Sequence, residues 1–420
     1  MLSGGLPMLE TRSAAPSLTA AETGLNNSLE RLLRWLEDHD YRAYDTFDGL
    51  NSRFLRPLTF NSSLLRIVLQ QGVRRFPLNL RPLVGITPER STKGIGSLAR
   101  GFIRLYQSTG DVMWRRRAES MLQWLLENQS PGYSGACWGN HFDYQSRSVF
   151  VRKLSPSVVW TSLIGHAFLD AYDQFHDEKY LETAISSCRH IERDLGAYQE
   201  GDTLCIHYFP TSTHQVHNAN TLGASLLART SSYTQNEMWR EMATKAMLYA
   251  AKYQREDASW YYGQAPNLHW VDNFHTAYVL DSFHWYGKAT GEERLDRQMM
   301  DGYWYWKKTF FSSEGMPRYY DHKALPLDIQ CSSQAIDTLV LFRDRDPESL
   351  SLALKVAQWT IENMQDPTGY FYYRRYSRYI VNKTPTQHWG QSTMMCALAG
   401  LSQALAKTES GSSAFAMDTV

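Results

Sequence analysis

Residues 260–291, WYYGQAPNLHWVDNFHTAYVLDSFHWYGKATG, hold in one piece a unit that the chain repeats in weaker copies. An aromatic run (Trp260, Tyr261, Tyr262) opens a polar loop, the loop ends at Asp272 and Asn273, and apolar residues at helical spacing then run to Gly287. Asp272 stands where a helix N-cap stands, and a carboxylate there accepts a hydrogen bond from a free N–H of the first turn. At the mouth of a pocket the same carboxylate can act as an acid or a base.

Copies of this unit lie on both sides. Phe142-Asp143-Tyr144 leads to a helix from Val158, His207-Tyr208-Phe209 to one near Asn220, Arg318-Tyr319-Tyr320 to one near Ser332, and Phe371-Tyr372-Tyr373 to the last helix. Helical periodicity marks about twelve segments in two alternating sets. The first set covers 26–39, 111–128, 178–194, 235–254, 292–310 and 348–364; the second covers 93–107, 156–175, 217–232, 272–288, 330–344 and 388–406. Long aromatic connections lead from a first helix to a second, and short turns such as Ser108-Thr109-Gly110 lead onward.

Hairpins of this kind cannot bury their apolar stripes alone and must stack on neighbours. Closing them into a ring predicts an all-α (α/α)6 toroid over residues 25–407, with residues 1–24 as a flexible lead and residues 408–420 as a disordered tail. The second helices, richer in Gly, Ala and Ser (Gly94, Gly165, Gly223, Ala224), are expected to line the ring, and the charged first helices to surround it. The aromatic loops then gather at one end.

Lys and Arg balance Asp and Glu at 43 each, so the chain lacks the basic excess that bulk phosphate binding needs, which argues against a nucleic-acid partner. Five scattered cysteines without a CxxC pair read as reduced thiols in a cytoplasmic protein. No apolar run approaches the length of a membrane span, and the N-terminus lacks a secretion-signal pattern. Oligomeric state is not legible.

Residues 40–92 break the repeat. The connection is longer than the others, carries its own helix near residues 61–71, and concentrates Arg53, Arg56, Arg66, Arg74, Arg75, Arg81, Arg90 and Lys93. An Arg-rich loop at a pocket mouth suits a carboxylate, sulfate or phosphate ligand; solvated surface charge is the alternative.

FDGLNS, FPLNLRPLVGI, VDNFHTAYVLDSF, the region around PLDIQCSSQAI and the terminal NKTPTQHWGQ resemble a family of bacterial proteins found with polysaccharide-biosynthesis genes, over about residues 44–405. The resemblance implies the toroid and a carbohydrate context, and carries no catalytic assignment. More loosely, the architecture is similar to six-hairpin glycoside hydrolases, uronate-polysaccharide lyases, N-acylglucosamine epimerases and the linalool dehydratase-isomerase, among which fold alone does not choose.

Candidate chemistry therefore comes from what should converge on the loop end. Acid, base or proton-transfer candidates are Asp45, Asp48, His217, Asp272, His275, Asp328 and His388. Candidate substrate contacts are Tyr44, Arg74, Arg81, Trp138, Asp143, Tyr208, Asn218, Trp260, Tyr262, Trp270, Asn273, Tyr320, Tyr373 and Trp389. Flat aromatic faces beside carboxylates and amides suit sugar rings, and ring faces also attract positive charge. Asp272 as acid with Asp45 or Asp48 as base would suit hydrolysis, and a glycoside hydrolase is the favoured expectation. A His base with an Arg that neutralises a sugar carboxylate would suit a lyase or epimerase. Two other classes stay open: a dehydratase or isomerase acting on a terpenoid-like alcohol with Cys137 among its groups, and a glycan-binding protein without catalysis. No HExxH, GxGxxG or Walker loop occurs, and Cys205, His207, His214 and His217 match no strong zinc spacing, so neither metal nor cofactor is expected.

Overall fold

The computed structural model describes residues 18–146 and 150–417. Six inner helices, α3 (Thr92–Thr109), α5 (Val158–Phe175), α7 (His217–Thr234), α9 (Asn273–Thr290), α11 (Ile329–Leu341) and α13 (Ser392–Met417), pack in that order, and α13 closes the ring on α3. Six outer helices surround them: α1 (Leu18–Asp38), α4 (Val112–Glu127), α6 (Glu178–His190), α8 (Glu237–Lys252), α10 (Asp296–Thr309) and α12 (Ser349–Met364). Each outer helix packs most closely on the inner helix that precedes it, α4 on α3 through to α12 on α11, and α1 completes the pattern on α13.

The composition of the inner set follows from crowding. A Cβ on Gly165 would come within 2.5 Å of the Leu226 side chain on α7, and one on Gly101 within 2.3 Å of Met395 on α13. Glycine lets these helices approach where any side chain would force them apart. Fifteen of the eighteen residues of α7, from His217 to Ser231, form one continuously buried run, as expected of a helix with neighbours on every side.

Two boundaries differ from the sequence expectation. Helix α1 starts by Leu18, so the end of the expected lead belongs to the first outer helix; the rest of that lead lies outside the described residues. At the other end α13 continues to Met417, well into the stretch expected as a disordered tail. The extra helix of the long first connection is α2 (Ser63–Arg75).

The repeated aromatic runs have a structural job that spacing alone did not reveal. Three of them, and Tyr44 in the first connection, supply backbone acceptors to the start of the inner helix one hairpin earlier around the ring. Val158 N–H donates to the Tyr208 carbonyl (3.0 Å), His217 to Tyr262 (3.0 Å), Asn273 to Tyr319 (2.9 Å), and Gln387, ahead of α13, to Tyr44 (2.7 Å). Two short hairpins, β1 (Tyr144–Gln145) with β2 (Phe150–Val151) and β3 (Ala197–Glu200) with β4 (Thr203–Ile206), lie in earlier loops; between α11 and the sixth loop the link is a strand pair, β5 (Leu327–Asp328) against β6 (Tyr372–Arg375), with Asp328 opposite Arg374. These bonds satisfy N–H groups that a helix start leaves free, and they lash neighbouring hairpins together at one end of the ring.

Candidate active site

The latched end encloses a cavity of about 690 Å³. Its wall comes from every hairpin loop: Phe47 and α2, Tyr144, Trp160, Tyr208, Tyr262, Trp270, Phe274, Tyr319, Tyr320, Trp389, and among polar groups Arg74, Arg75, His275, Arg374 and His388. Tyr262 and Trp270 stack at 4.5 Å with their planes 12° apart. Phe47 meets Trp389 edge-on at 5.5 Å, and Arg74 lies 4.3 Å over the Phe47 ring.

Two imidazoles reach this wall, and each is backed by a buried carboxylate. His275, in the first turn of α9, sets Nδ1 2.6 Å from Asp272 Oδ2. Asp272 does cap α9: Oδ1 accepts the His275 N–H (3.0 Å), and Oδ2 also accepts from Trp270 Nε1 (2.9 Å). With three donors and no exposed side-chain surface, Asp272 holds the His275 ring in place and does not itself line the main cavity, where it was expected as the general acid.

His388 sits in a π-type turn, Gln387–Gln391, directly before α13. Such turns re-aim side chains, and they recur at functional sites. Its Nδ1 lies 2.5 Å from Asp45 Oδ2 and 3.2 Å from Ser91 Oγ. Asp45 is fully buried, with His141 Nε2 3.8 Å from the same oxygen. Burial pushes the His388 ring below the ordinary imidazole range, against the pull of Asp45. For Asp45 burial acts upward, yet the neighbouring rings and the Thr46 N–H hold the carboxyl below its usual value. Among the described residues no hydrogen bond engages Nε2 of His275 or of His388, the nitrogen left over in each pair.

The remaining candidates divide. Asp48 does not reach the cavity: Arg81 Nε donates to both its oxygens (2.8 and 3.0 Å), and Arg81 Nη2 donates to the Asp45 carbonyl (2.7 Å). Burial raises the Asp48 carboxyl to about 6 in spite of Arg81. Asp48 and Arg81 thus shape the chain beneath Asp45 and are neither base nor substrate contact. Asp328 is buried against Arg374 Nη2 (2.7 Å), leaving only the arginine on the wall. Asp143 pairs with Arg56 and accepts from the Lys153 N–H (2.8 Å), outside the cavity lining.

Trp138 and Trp260, expected as sugar platforms, are core residues in equivalent places: their indole N–H groups donate to the carbonyls of Leu125 (2.9 Å) and Ala250 (2.8 Å), in the last turns of α4 and α8. Asn273 bonds the Arg318 carbonyl and receives Trp306 Nε1. Tyr373 is buried and receives Arg74 Nε (2.9 Å), while Tyr44 acts through its carbonyl. His217 and Asn218 sit behind Tyr262 and His275 in a crevice of about 10 Å³, room for about one water. Gln264 Nε2 lies 2.7 Å from His217 Nε2, and burial holds that ring down to about 4.

Sequence reasoning missed Trp160, Phe274, Tyr319, Arg374 and Phe47 as cavity residues, and passed over Lys93 except as one of a basic run. Trp160 was findable, since it occupies the same first-turn position in α5 that His275 occupies in α9. Lys93, in the first turn of α3, is buried with Nζ 3.1 Å from Tyr278 Oη and no carboxylate within ion-pair distance among the described residues; burial lowers its amine to about 7. Burial raises the Cys137 thiol to about 12, which makes it a poor proton donor or nucleophile. No group of three His, Cys, Asp or Glu side chains among the described residues is placed to hold a metal ion.

No family model matches the chain, and no curated protein matches it by sequence. Solved structures do match in shape. Cellobiose 2-epimerase from Bacillus thermoamylovorans superposes with a TM-score of 0.59 at 11% identity, over 74% of this chain and 87% of that one. The fold is the (α/α)6 toroid. An unsaturated glucuronyl hydrolase specific for heparin gives 0.61 at 11%, over 94% and 99%, and a GH76 α-mannanase from Bacteroides thetaiotaomicron gives 0.54 at 13%, over 76% and 87%. The toroid thus shares its architecture with epimerases and hydrolases alike, and such identities speak to fold alone.

Proposed function

We propose that the protein is a carbohydrate-active enzyme that moves protons on an anionic saccharide, in the manner of an epimerase or isomerase. The observation that carries this reading is the pair of His–Asp units, His275–Asp272 and His388–Asp45, whose imidazoles line one cavity while their carboxylates stay behind them. A carboxylate at Nδ1 fixes the ring and its tautomer and leaves Nε2 to exchange the proton. One ring acts as base on a carbon-bound proton next to a carbonyl, and the other returns a proton from another direction. Hydrolysis by paired carboxylates is less well supported, because none of Asp45, Asp48 and Asp272 contributes to the lining of the main cavity.

The anionic preference rests on Arg74 and Arg75. Both line the cavity, and neither has a carboxylate within ion-pair distance among the described residues. An unpaired guanidinium on an aromatic wall suits a uronate carboxylate, with sugar C–H faces on Tyr262, Trp270 and Trp389. The test is a panel of uronic acids, neutral disaccharides and short terpenols, each incubated with the protein and followed by NMR. New epimer or keto-isomer signals from a uronate or a reducing sugar support the reading. Conversion of terpenols alone would overturn it.

A further inference from the structure

Between Gly49 and Pro88 the chain contains no acidic residue, and the same stretch is rich in exposed apolar side chains. Nine of the large hydrophobic side chains that stand exposed fall between residues 54 and 83, among them Phe60 at 81% and Leu83 at 77% exposure. Helix α2 organises them. Gln70 and Val73 turn inward, Gln71 and Arg74 face the cavity, and Leu64, Leu65 and Val68 point outward without a partner.

The surface is continuous with its flanks. Ser52 Oγ donates to the Val84 carbonyl (2.6 Å), and the Phe54 ring lies against Gly85 so closely that a Cβ there would meet it at 2.9 Å. Asn382 Nδ2 donates to the Phe76 carbonyl (2.8 Å), which draws in the hairpin of β6 and β7 (Val381–Pro385). The tip of that hairpin, Arg378-Tyr379-Ile380, is exposed, and residues 374–383 again include no acid. Arg53, Arg75 and Arg378 stand on this surface without an ion-pair partner among the described residues.

We propose that this face, α2 with its flanks and the β6–β7 tip, docks the protein on an anionic lipid bilayer. Apolar patches of this extent on a folded protein mark interaction sites. An amphipathic helix with cations at its margins and an aromatic anchor beside it matches the interfacial zone, where apolar side chains enter the acyl boundary and guanidinium groups meet headgroup phosphates. No helix among the described residues is long and apolar enough to cross a membrane, so the contact lies in the plane of the surface. A second copy is a poorer occupant: a two-fold contact through this face would set arginines against arginines with no carboxylate of its own to compensate.

Vesicle flotation tests it with the full chain. Vesicles of phosphatidylcholine containing one third phosphatidylglycerol should carry the protein upward at low salt, vesicles of phosphatidylcholine alone should not, and added salt should release it. Leu64→Ser with Val68→Ser, and separately Arg53→Ser with Arg378→Ser, should each weaken flotation at least tenfold while leaving the melting temperature in place. Absence of flotation, equal flotation with neutral vesicles, or undiminished flotation of both double variants overturns the proposal. So does self-association in sedimentation that the Leu64→Ser/Val68→Ser variant abolishes without any vesicle binding, because the face would then join copies of the chain.

Discussion

The two ends of the ring hold two cavities built on opposite principles. At the loop end, the cavity of about 690 Å³ is walled by aromatic rings, and its polar groups keep unused valences: Nε2 of two histidines and two arginines without a carboxylate. At the other end, a cavity of about 450 Å³ is lined by all six inner helices and by charges most of which answer one another. Arg100 and Arg229 share Asp170 (2.7 Å each), Arg229 also holds Asp173 (2.8 Å), and Arg104 holds Asp337 (2.5 Å). Those bridges tie α3 to α5, α5 to α7 and α3 to α11 across the axis. Satisfied charges fasten the ring, whereas unsatisfied ones are free to meet a substrate.

Breaking the loop end should therefore cost activity, and breaking the far end should cost stability. His388→Gln and His275→Gln should each lower turnover by roughly 10²–10⁴, the range for losing a positioned acid or base, with little change in melting temperature. If either variant melts far below the parent while its specific activity survives, that histidine is structural. The wild-type acid limb should lie below the ordinary histidine pKa, because burial lowers the His388 ring and the neutral form is the base.

Asp170→Ala, at the far end, leaves Arg100 and Arg229 sharing no partner and should destabilise the fold by roughly 3 kcal/mol, the lower end of the cost of breaking a buried pair. Denaturant titration measures this, and kcat below the melting range should be unchanged. Arg74→Gln should weaken binding of an anionic sugar by roughly ten- to a hundredfold, as expected for a charge-assisted hydrogen bond, and leave a neutral sugar unaffected. Competition between a uronate and its neutral counterpart separates the two.

The smallest effect concerns Asp281, whose Oδ2 receives Gln334 Nε2 (2.8 Å) and whose Oδ1 has no partner. Burial, reinforced by Asp337, raises its carboxyl to about 8. The folded protein thus keeps this proton to about pH 8, whereas the unfolded chain releases it in the ordinary carboxylate range. Its contribution to stability is full below that range and is lost as pH rises toward 8. Asp281→Asn should flatten the decline in melting temperature between about pH 5 and pH 8, inside that window; an unchanged slope would show that the group is ionised throughout.

Much of the fold was legible because helical periodicity repeats at every hairpin and the aromatic runs at five of the six. Both sets of helices fall within a few residues of their expected places, α1 and the end of α13 excepted. The site was half legible. His275 and Asp272 lie three residues apart, so the cap position that marks one also places the other. Asp45 and His388 meet only because the ring closes, and no local pattern announces a contact between the two ends of a chain. Trp138 and Trp260 misled for a related reason: a tryptophan beside a polar loop looks like a platform, but here its N–H closes the last turn of a helix.

Exchange of carbon-bound protons by two histidines at one cavity is read directly by solvent deuterium. The wild-type protein in D2O, given the uronate or reducing sugar that the panel selects, should place deuterium on the carbon beside the carbonyl, and His275→Gln and His388→Gln should each abolish or restrict the exchange to one epimer. Release of a new reducing end with no deuterium on carbon would contradict it and return the chemistry to hydrolysis.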